Sequence, residues 1–214
     1  MKQPIGILGG TFDPVHLGHV GLAEDVYRHC KMSEVRLIPL YTPPHREMPV
    51  ASPEQRLNML RLATVNTPGL IIDERELERK GVSYSVDTLR SLRLEDGEVP
   101  LCMVMGADAF LSFHNWKDWQ EISSLAHLVV INRPGASINP GNEELADFYQ
   151  NTYTENVKRL HQRPAGYTLV LQLPERHISS TFVRENIDKE KNVKKLLHED
   201  VYCYIKREGL YHQH

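Results

Sequence analysis

The run Gly9-Gly10-Thr11-Phe12-Asp13-Pro14-Val15-His16-Leu17-Gly18-His19 gathers the groups needed to hold a phosphate. It follows an apolar segment, residues 4–8, that reads as a strand, and its paired glycines let the backbone turn sharply and bring amide N–H groups close to a ligand. A helix is expected to begin near Val15 or His16, directing the positive end of its dipole to the same place. His16 and His19 are three residues apart, so both imidazoles fall on one face of the first turn as donors for an anion. Each piece alone has a plainer reading: Gly-Gly as an ordinary turn, the histidine pair as a surface pair or a fragment of a zinc site. Six fixed residue types at fixed spacing after a strand make the combination specific.

A second constellation, Ile178-Ser179-Ser180-Thr181-Phe182-Val183-Arg184, follows an apolar run at 169–173 and reads as the opening of a helix, with Ser179 or Ser180 suited to cap it. Ser179, Thr181 and Arg184 would present two hydroxyls and a guanidinium beside free N–H groups, a set that suits a polyphosphate tail. In isolation the same residues describe a capped surface helix with an exposed arginine. Their weight comes from the pairing with the first run.

The elements that must position these groups are legible as alternation. Residues 4–8, 35–40, 70–72, 101–105, 128–131 and 169–173 read as strands, most of them apolar at nearly every position, as in a parallel sheet covered by helices on both faces. Between them, residues 17–30 carry apolar side chains at helical spacing. Ser52-Pro53-Glu54-Gln55 offers an N-cap, a first-turn proline and a capping-box glutamine for a helix to about Val65. A third helix is predicted from Ser85 to Glu95, ended by Asp96-Gly97. Residues 135–142 read as a mobile loop, 143–161 as moderately helical and 162–167 as another loop. This β-α alternation predicts an α/β, Rossmann-like, doubly wound and mainly parallel sheet, whose ligands sit beyond the carboxyl ends of the strands. The 214 residues fit a single domain, 1–214, closed by helices at about 178–209.

Composition narrows the partners. A net charge of −3 gives no electrostatic case for nucleic acid or an anionic membrane, so a phosphate must be held by local groups. The three cysteines, Cys30, Cys102 and Cys203, are odd in number and widely spaced, and read as inert buried thiols of a reducing cytoplasm. There is no basic segment followed by an apolar signal core, and no apolar run approaches a membrane span of roughly 20 residues. A cytoplasmic protein is expected.

The first run resembles the GxFxPxHxGH signature of the nucleotidyltransferase superfamily, and the second its ISxTxxR signature. Thr42-Pro43-Pro44-His45-Arg46, Asp73-Glu74-Arg75-Glu76-Leu77, Ser83-Tyr84-Ser85, Gly106-Ala107-Asp108, Trp116 and Arg133-Pro134-Gly135 resemble, in order, segments of the bacterial nicotinate-mononucleotide adenylyltransferases over nearly the whole chain. The resemblance implies adenylyl transfer from ATP to nicotinate mononucleotide, with Mg²⁺ carried on the ATP phosphates rather than in a protein cage. It assigns catalysis to His16, His19, Thr11 and Arg184. ATP is assigned to these residues with Gly9, Gly10, Gly18, Gly106, Asp108, Arg133, Ser179 and Thr181. The mononucleotide is assigned to Phe12, His45, Arg46, Ser85, Trp116 and Lys117.

Several assignments have local alternatives, and for a lone tryptophan such as Trp116 the core is the usual one. Asp108 reads as a ribose acceptor or an N-cap, Trp116 as a stacking platform or core, and Arg133-Pro134 as an adenine contact or a strand-ending turn. Pro43-Pro44 holds His45 and Arg46 on a stiff loop, whether over a site or in solvent. Ser85 stands where the family commonly has threonine, and Lys117 where it often has tyrosine. Competing functions are adenylyl transfer to nicotinamide mononucleotide or phosphopantetheine, a nucleotide-binding regulator without turnover, and a zinc protein, the last lacking a completed ligand set. Homo-oligomer formation is left open.

Overall fold

The computed structural model of the chain describes residues 2–44, 48–174, 176–189 and 192–212. Among them the strands β1 (Ile5–Gly10), β2 (Glu34–Pro39), β3 (Leu70–Ile72), β4 (Leu101–Gly106), β5 (His127–Asn132), β6 (Tyr153–Thr154) and β7 (Thr168–Gln172) form one sheet in the order β3-β2-β1-β4-β5-β7-β6. The pairs β1–β4, β4–β5, β5–β7 and β6–β7 are parallel, with registers such as Ile5 to Leu101 and Val129 to Leu169. The strand order reverses direction after β1, as the doubly wound reading expects.

The helices are α1 (Leu17–His29), α2 (Pro53–Thr64), α3 (Arg75–Arg79), α4 (Ser85–Asp96), α5 (Ala107–Leu111), α6 (Trp119–Leu125), α7 (Glu143–Thr152), α8 (Ser180–Asn186) and α9 (Glu199–Arg207). Two of them end where their local chemistry says. Ser52 caps α2 by accepting from the Gln55 N–H while the Gln55 side chain accepts from the Ser52 N–H, a reciprocal pair worth about 1 kcal/mol. Gly97 ends α4 at a φ of 57°, which favours glycine. Ser179 rather than Ser180 caps α8.

The chain divides into two compact units. The first comprises Met1–Leu8, Asp25–Arg36 and Tyr84–Glu175. Its core includes the buried β4 and β5 side chains Leu101, Cys102, Val104, Leu128, Val129 and Val130 and the buried helical side chains Phe110, Phe113, Leu92 and Ile122. Full burial of each such aliphatic side chain stabilises by roughly 1.5–3 kcal/mol. The second comprises Gly9–Glu24, Leu37–Ser83 and Arg176–His214, with α2 packed on α9 and Leu57, Leu60, Val201 and Ile205 of these helices buried.

Three expectations are corrected. The stretch 143–161 is not one helix: α7 stops at Thr152, β6 adds a short strand to β7, and Val157–His161 is a 3-10 helix started by the Asn156 side chain on the Lys158 N–H. Cys30 and Cys102 are buried, but Cys203 on α9 is exposed, so it is not an inert core thiol. Burial pushes the Cys30 thiol up to about 12 and raises Cys102 well above the ordinary range. The glycines at 9 and 10 do not turn the chain. They are the last two residues of β1, and the left-handed residue of this loop is Phe12, at a φ of 51°. No helix among the described residues is long and apolar enough to cross a membrane.

Candidate active site

The loop from Thr11 to Pro14 belongs to the second unit and is shaped by what its glycines leave out. A Cβ on Gly10 would stand 2.9 Å from the Phe12 ring, so the missing side chain is what lets that ring fold under the loop. Phe12 is buried and presents its ring at a T-shaped angle to His19, with centroids 5.1 Å apart. Its side chain therefore supports His19 from within rather than facing a ligand.

His16 precedes α1 instead of opening it: its carbonyl accepts from the N–H groups of His19 and Val20, so the helix begins one residue later. The two imidazoles are still brought together, stacked at 3.7 Å between centroids and 18° between planes. Gly18 permits this, since a Cβ there would lie 2.9 Å from Nδ1 of His16. The His16 backbone N–H donates to Nδ1 of His19 at 3.3 Å, which makes that nitrogen an acceptor and assigns the ring proton to Nε2. Burial pushes His16 down to about 4, and burial together with the neighbouring His16 pushes His19 to about 3. Both rings are neutral donors near pH 7. Nδ1 of His16 is buried without a hydrogen-bond partner among the described residues.

The segment around α8 meets the same loop. Nη1 of Arg184 donates to the Asp13 carbonyl at 2.6 Å and Nη2 to the Thr181 hydroxyl at 3.3 Å, while the Ser180 hydroxyl donates to the Pro14 carbonyl at 2.9 Å. Two runs of sequence separated by 171 residues thus share one loop. Ser179 and Thr181 are exposed beside it. His45 and Arg46 lie outside the described residues.

The remaining predicted residues belong to the first unit. Ser85 is the first residue of α4, a helix whose N-cap, Tyr84, supplies no side-chain hydrogen bond. Trp116 is half-buried, set edge-on to Phe113 at 5.6 Å, whereas Trp119 is the tryptophan of the core. Lys117 is committed elsewhere: it donates to Asp87 in the first turn of α4 at 3.1 Å and sits 4.5 Å from the Tyr84 ring centroid. Partial burial would raise the Asp87 carboxyl, but Lys117 and Arg90 outweigh it and hold Asp87 below its usual range. Gly106 ends β4 and takes the N-cap position of α5, so Asp108 is an exposed first-turn residue and not the cap. Arg133 is exposed in a turn that the Asn132 side chain closes, accepting from the Arg133 N–H and donating to the Ala136 carbonyl.

Hydrogen-bonded to the loop from Thr11 to Pro14 are two residues that the sequence did not single out, Arg56 and Tyr211. Both are buried, and Tyr211 donates to Asp13. Arg56 carried a signal: it falls in the apolar stripe of α2 with Met59, Leu60 and Ala63, where a solvated arginine has no place.

The cytidylyltransferase-like family model matches residues 7–186. A protein of Marinobacter nauticus named "Probable nicotinate-nucleotide adenylyltransferase" is 45% identical over 206 residues, covering 96% of this chain and 95% of its own. A protein of the same name from Hahella chejuensis is 47% identical over 211 residues, covering 98% and 96%. Among solved structures, the Plasmodium falciparum nicotinic acid mononucleotide adenylyltransferase complexed with NaAD aligns with a TM-score of 0.72 at 18% identity, over 98% of this chain and 97% of that one, and shares the fold.

Proposed function

Because this chain belongs to the nicotinate-nucleotide adenylyltransferase family of cytidylyltransferase-like proteins, we propose that it transfers the adenylyl group of ATP to nicotinate mononucleotide. An oxygen of the mononucleotide 5′-phosphate forms the new bond to the α-phosphorus, the α–β bridging bond breaks, and pyrophosphate leaves with that electron pair. The products are nicotinate adenine dinucleotide and pyrophosphate. With a second pKa of about 6 the attacking phosphate is already anionic at neutral pH, so no protein base is needed.

What the residues supply is position and charge compensation. His19, with its proton on Nε2, and His16 donate to the α-phosphate, and the Thr11 hydroxyl and the Gly9-Gly10 backbone orient the phosphates. Gly18 serves by holding His16 in its stack. Arg184, Ser179 and Thr181 hold the leaving pyrophosphate. Asp108 and Gly106 receive the ribose of ATP, and Arg133 the adenine. Trp116 stacks on the pyridine ring, and Ser85 with the unshared N–H groups of the first α4 turn receives its carboxylate. Phe12 acts through His19, and His45 and Arg46 keep their assignment to the mononucleotide. Lys117, held by Asp87, adds no spare positive charge.

The loop's groups are donors suited to anion oxygens and not ligands for a cation. Asp13, its one carboxylate, is buried and occupied by the Val50 and Ala51 N–H groups and by Tyr211. Mg²⁺ therefore fits as a companion of ATP, held by phosphates and water, where it would neutralise phosphate charge. The substrates are soluble nucleotides, and we place the enzyme in the cytoplasm with no nucleic-acid partner.

The observation that carries this reading is the Arg184–Asp13 hydrogen bond, which puts the guanidinium on the loop that holds the histidine pair. Pyrophosphate release from ATP, Mg²⁺ and each mononucleotide in turn tests it. Release with nicotinate mononucleotide is expected, and none with any mononucleotide would reject it.

A further inference from the structure

Arg56 is a fully buried arginine, at 0% exposure, and its hydrogen bonds go to backbone rather than to a carboxylate. Nη1 donates to the Thr11 carbonyl at 2.7 Å and Nη2 to the Tyr41 carbonyl at 3.3 Å, while Nε has no partner among the described residues. Asp13, 4% exposed, accepts from the Val50 N–H at 2.8 Å, the Ala51 N–H at 3.1 Å and the Tyr211 hydroxyl at 2.7 Å. Burial and Asp13 both raise the Tyr211 phenol, which keeps it a proton donor.

A buried charge is expensive, and an apolar side chain of similar volume often stabilises as well or better. Stability alone therefore does not account for an arginine in the apolar stripe of α2. Its geometry does. The Gly10 carbonyl accepts from the Leu40 N–H at 3.0 Å, the Thr11 carbonyl from Arg56 and the Asp13 carbonyl from Arg184. In a trans peptide the N–H points opposite to the carbonyl, so tying down the Gly10 and Thr11 carbonyls sends the Thr11 and Phe12 N–H groups the other way. Successive N–H groups aimed to one side form a concavity for an anion.

We propose that Arg56 and Tyr211 are positioning residues for adenylyl transfer: Arg56 sets the direction of the loop amides, and Tyr211, through Asp13, locks the loop and the arginine it carries. This rests on the reading of the loop as the phosphate site of ATP. It makes the residue beyond the last helix part of the catalytic apparatus without contact to substrate.

The test compares Tyr211→Phe and Arg56→Lys with Tyr204→Phe. The last removes the hydroxyl of a buried tyrosine in the same C-terminal segment, a hydroxyl that accepts from Asn58 at 3.4 Å. For each protein the readouts are kcat, KM for both substrates, ATP affinity by calorimetry without the second substrate, and thermal unfolding. Tyr211→Phe should stay folded, lose about 10-fold in kcat, bind ATP several-fold more weakly and keep its KM for the mononucleotide. Tyr204→Phe should match wild type, and Arg56→Lys, if folded, should lose more than Tyr211→Phe. Wild-type kcat and ATP affinity in Tyr211→Phe would overturn the proposal, as would equal losses in Tyr204→Phe. If wild type does not use nicotinate mononucleotide, the functional reading fails separately. The loop support then stands on weaker ATP binding by Tyr211→Phe and falls on unchanged binding.

Discussion

The imidazoles of His16 and His19 stack at 3.7 Å, and the His16 N–H donates to Nδ1 of His19; burial keeps both rings neutral, and His16 reinforces this at His19. With folded values of about 4 and 3 against about 6.5 for a free histidine, the unfolded chain binds protons more readily over that interval. These groups make no pH-dependent contribution above about 6.5, and the stability they confer falls as pH drops from there toward 4 and then 3. Melting temperature should decline over this range, and less steeply in a His16→Gln/His19→Gln variant. Identical slopes would show that the pair titrates normally.

His19→Ala should remain folded and lose about 10²-fold or more in kcat, the usual cost of one transition-state donor. Gly18→Ala tests the same pair from outside: its Cβ would press on Nδ1 of His16 at 2.9 Å and break the stack. We expect a lower kcat with little change in the mononucleotide KM. Near-normal kcat in both variants would remove the histidine pair from the mechanism.

Arg184→Ala should weaken use of ATP while leaving the mononucleotide nearly unaffected, because the guanidinium is assigned to oxygens that only the triphosphate has. Steady-state kinetics with each substrate varied separately decides it. Equal loss for both substrates would mean that its bond to the Asp13 carbonyl matters more than any phosphate contact.

Acid-over-amide selectivity should depend on Ser85 and not on Lys117. Lys117 is exposed and paired with Asp87, which leaves little charge to act on a carboxylate. An amide would set its N–H₂ group against donors, a mismatch that is costly in a dry pocket. The ratio of kcat/KM values for acid and amide should therefore fall in Ser85→Ala and hold within about twofold in Lys117→Ala. The reverse pattern would make the lysine the reader of the carboxylate.

Much of this molecule was legible because its signals are local. The apolar strands, the Ser52–Gln55 box and the glycine that ends α4 are each decided by a few neighbouring residues. What escaped depends on partners distant in sequence. β6 exists because Tyr153 and Thr154 pair with Thr168 and Leu169, against a helical spacing that its own residues suggest. Gly10 reads as a turn residue in sequence and Gly18 only as an ATP contact implied by the family resemblance, yet each leaves room for one ring. Arg56 and Tyr211 acquire meaning only when α2 and the C-terminal segment are folded against the loop from Thr11 to Asp13.

The central claim is most directly tested by identifying the product. Purified protein with ATP, Mg²⁺ and nicotinate mononucleotide should form nicotinate adenine dinucleotide and pyrophosphate in equal amounts, separated by chromatography and identified by mass. It should do so with a higher kcat/KM than for nicotinamide mononucleotide. Preferred formation of the amide dinucleotide, or cleavage of ATP without any dinucleotide, would contradict it.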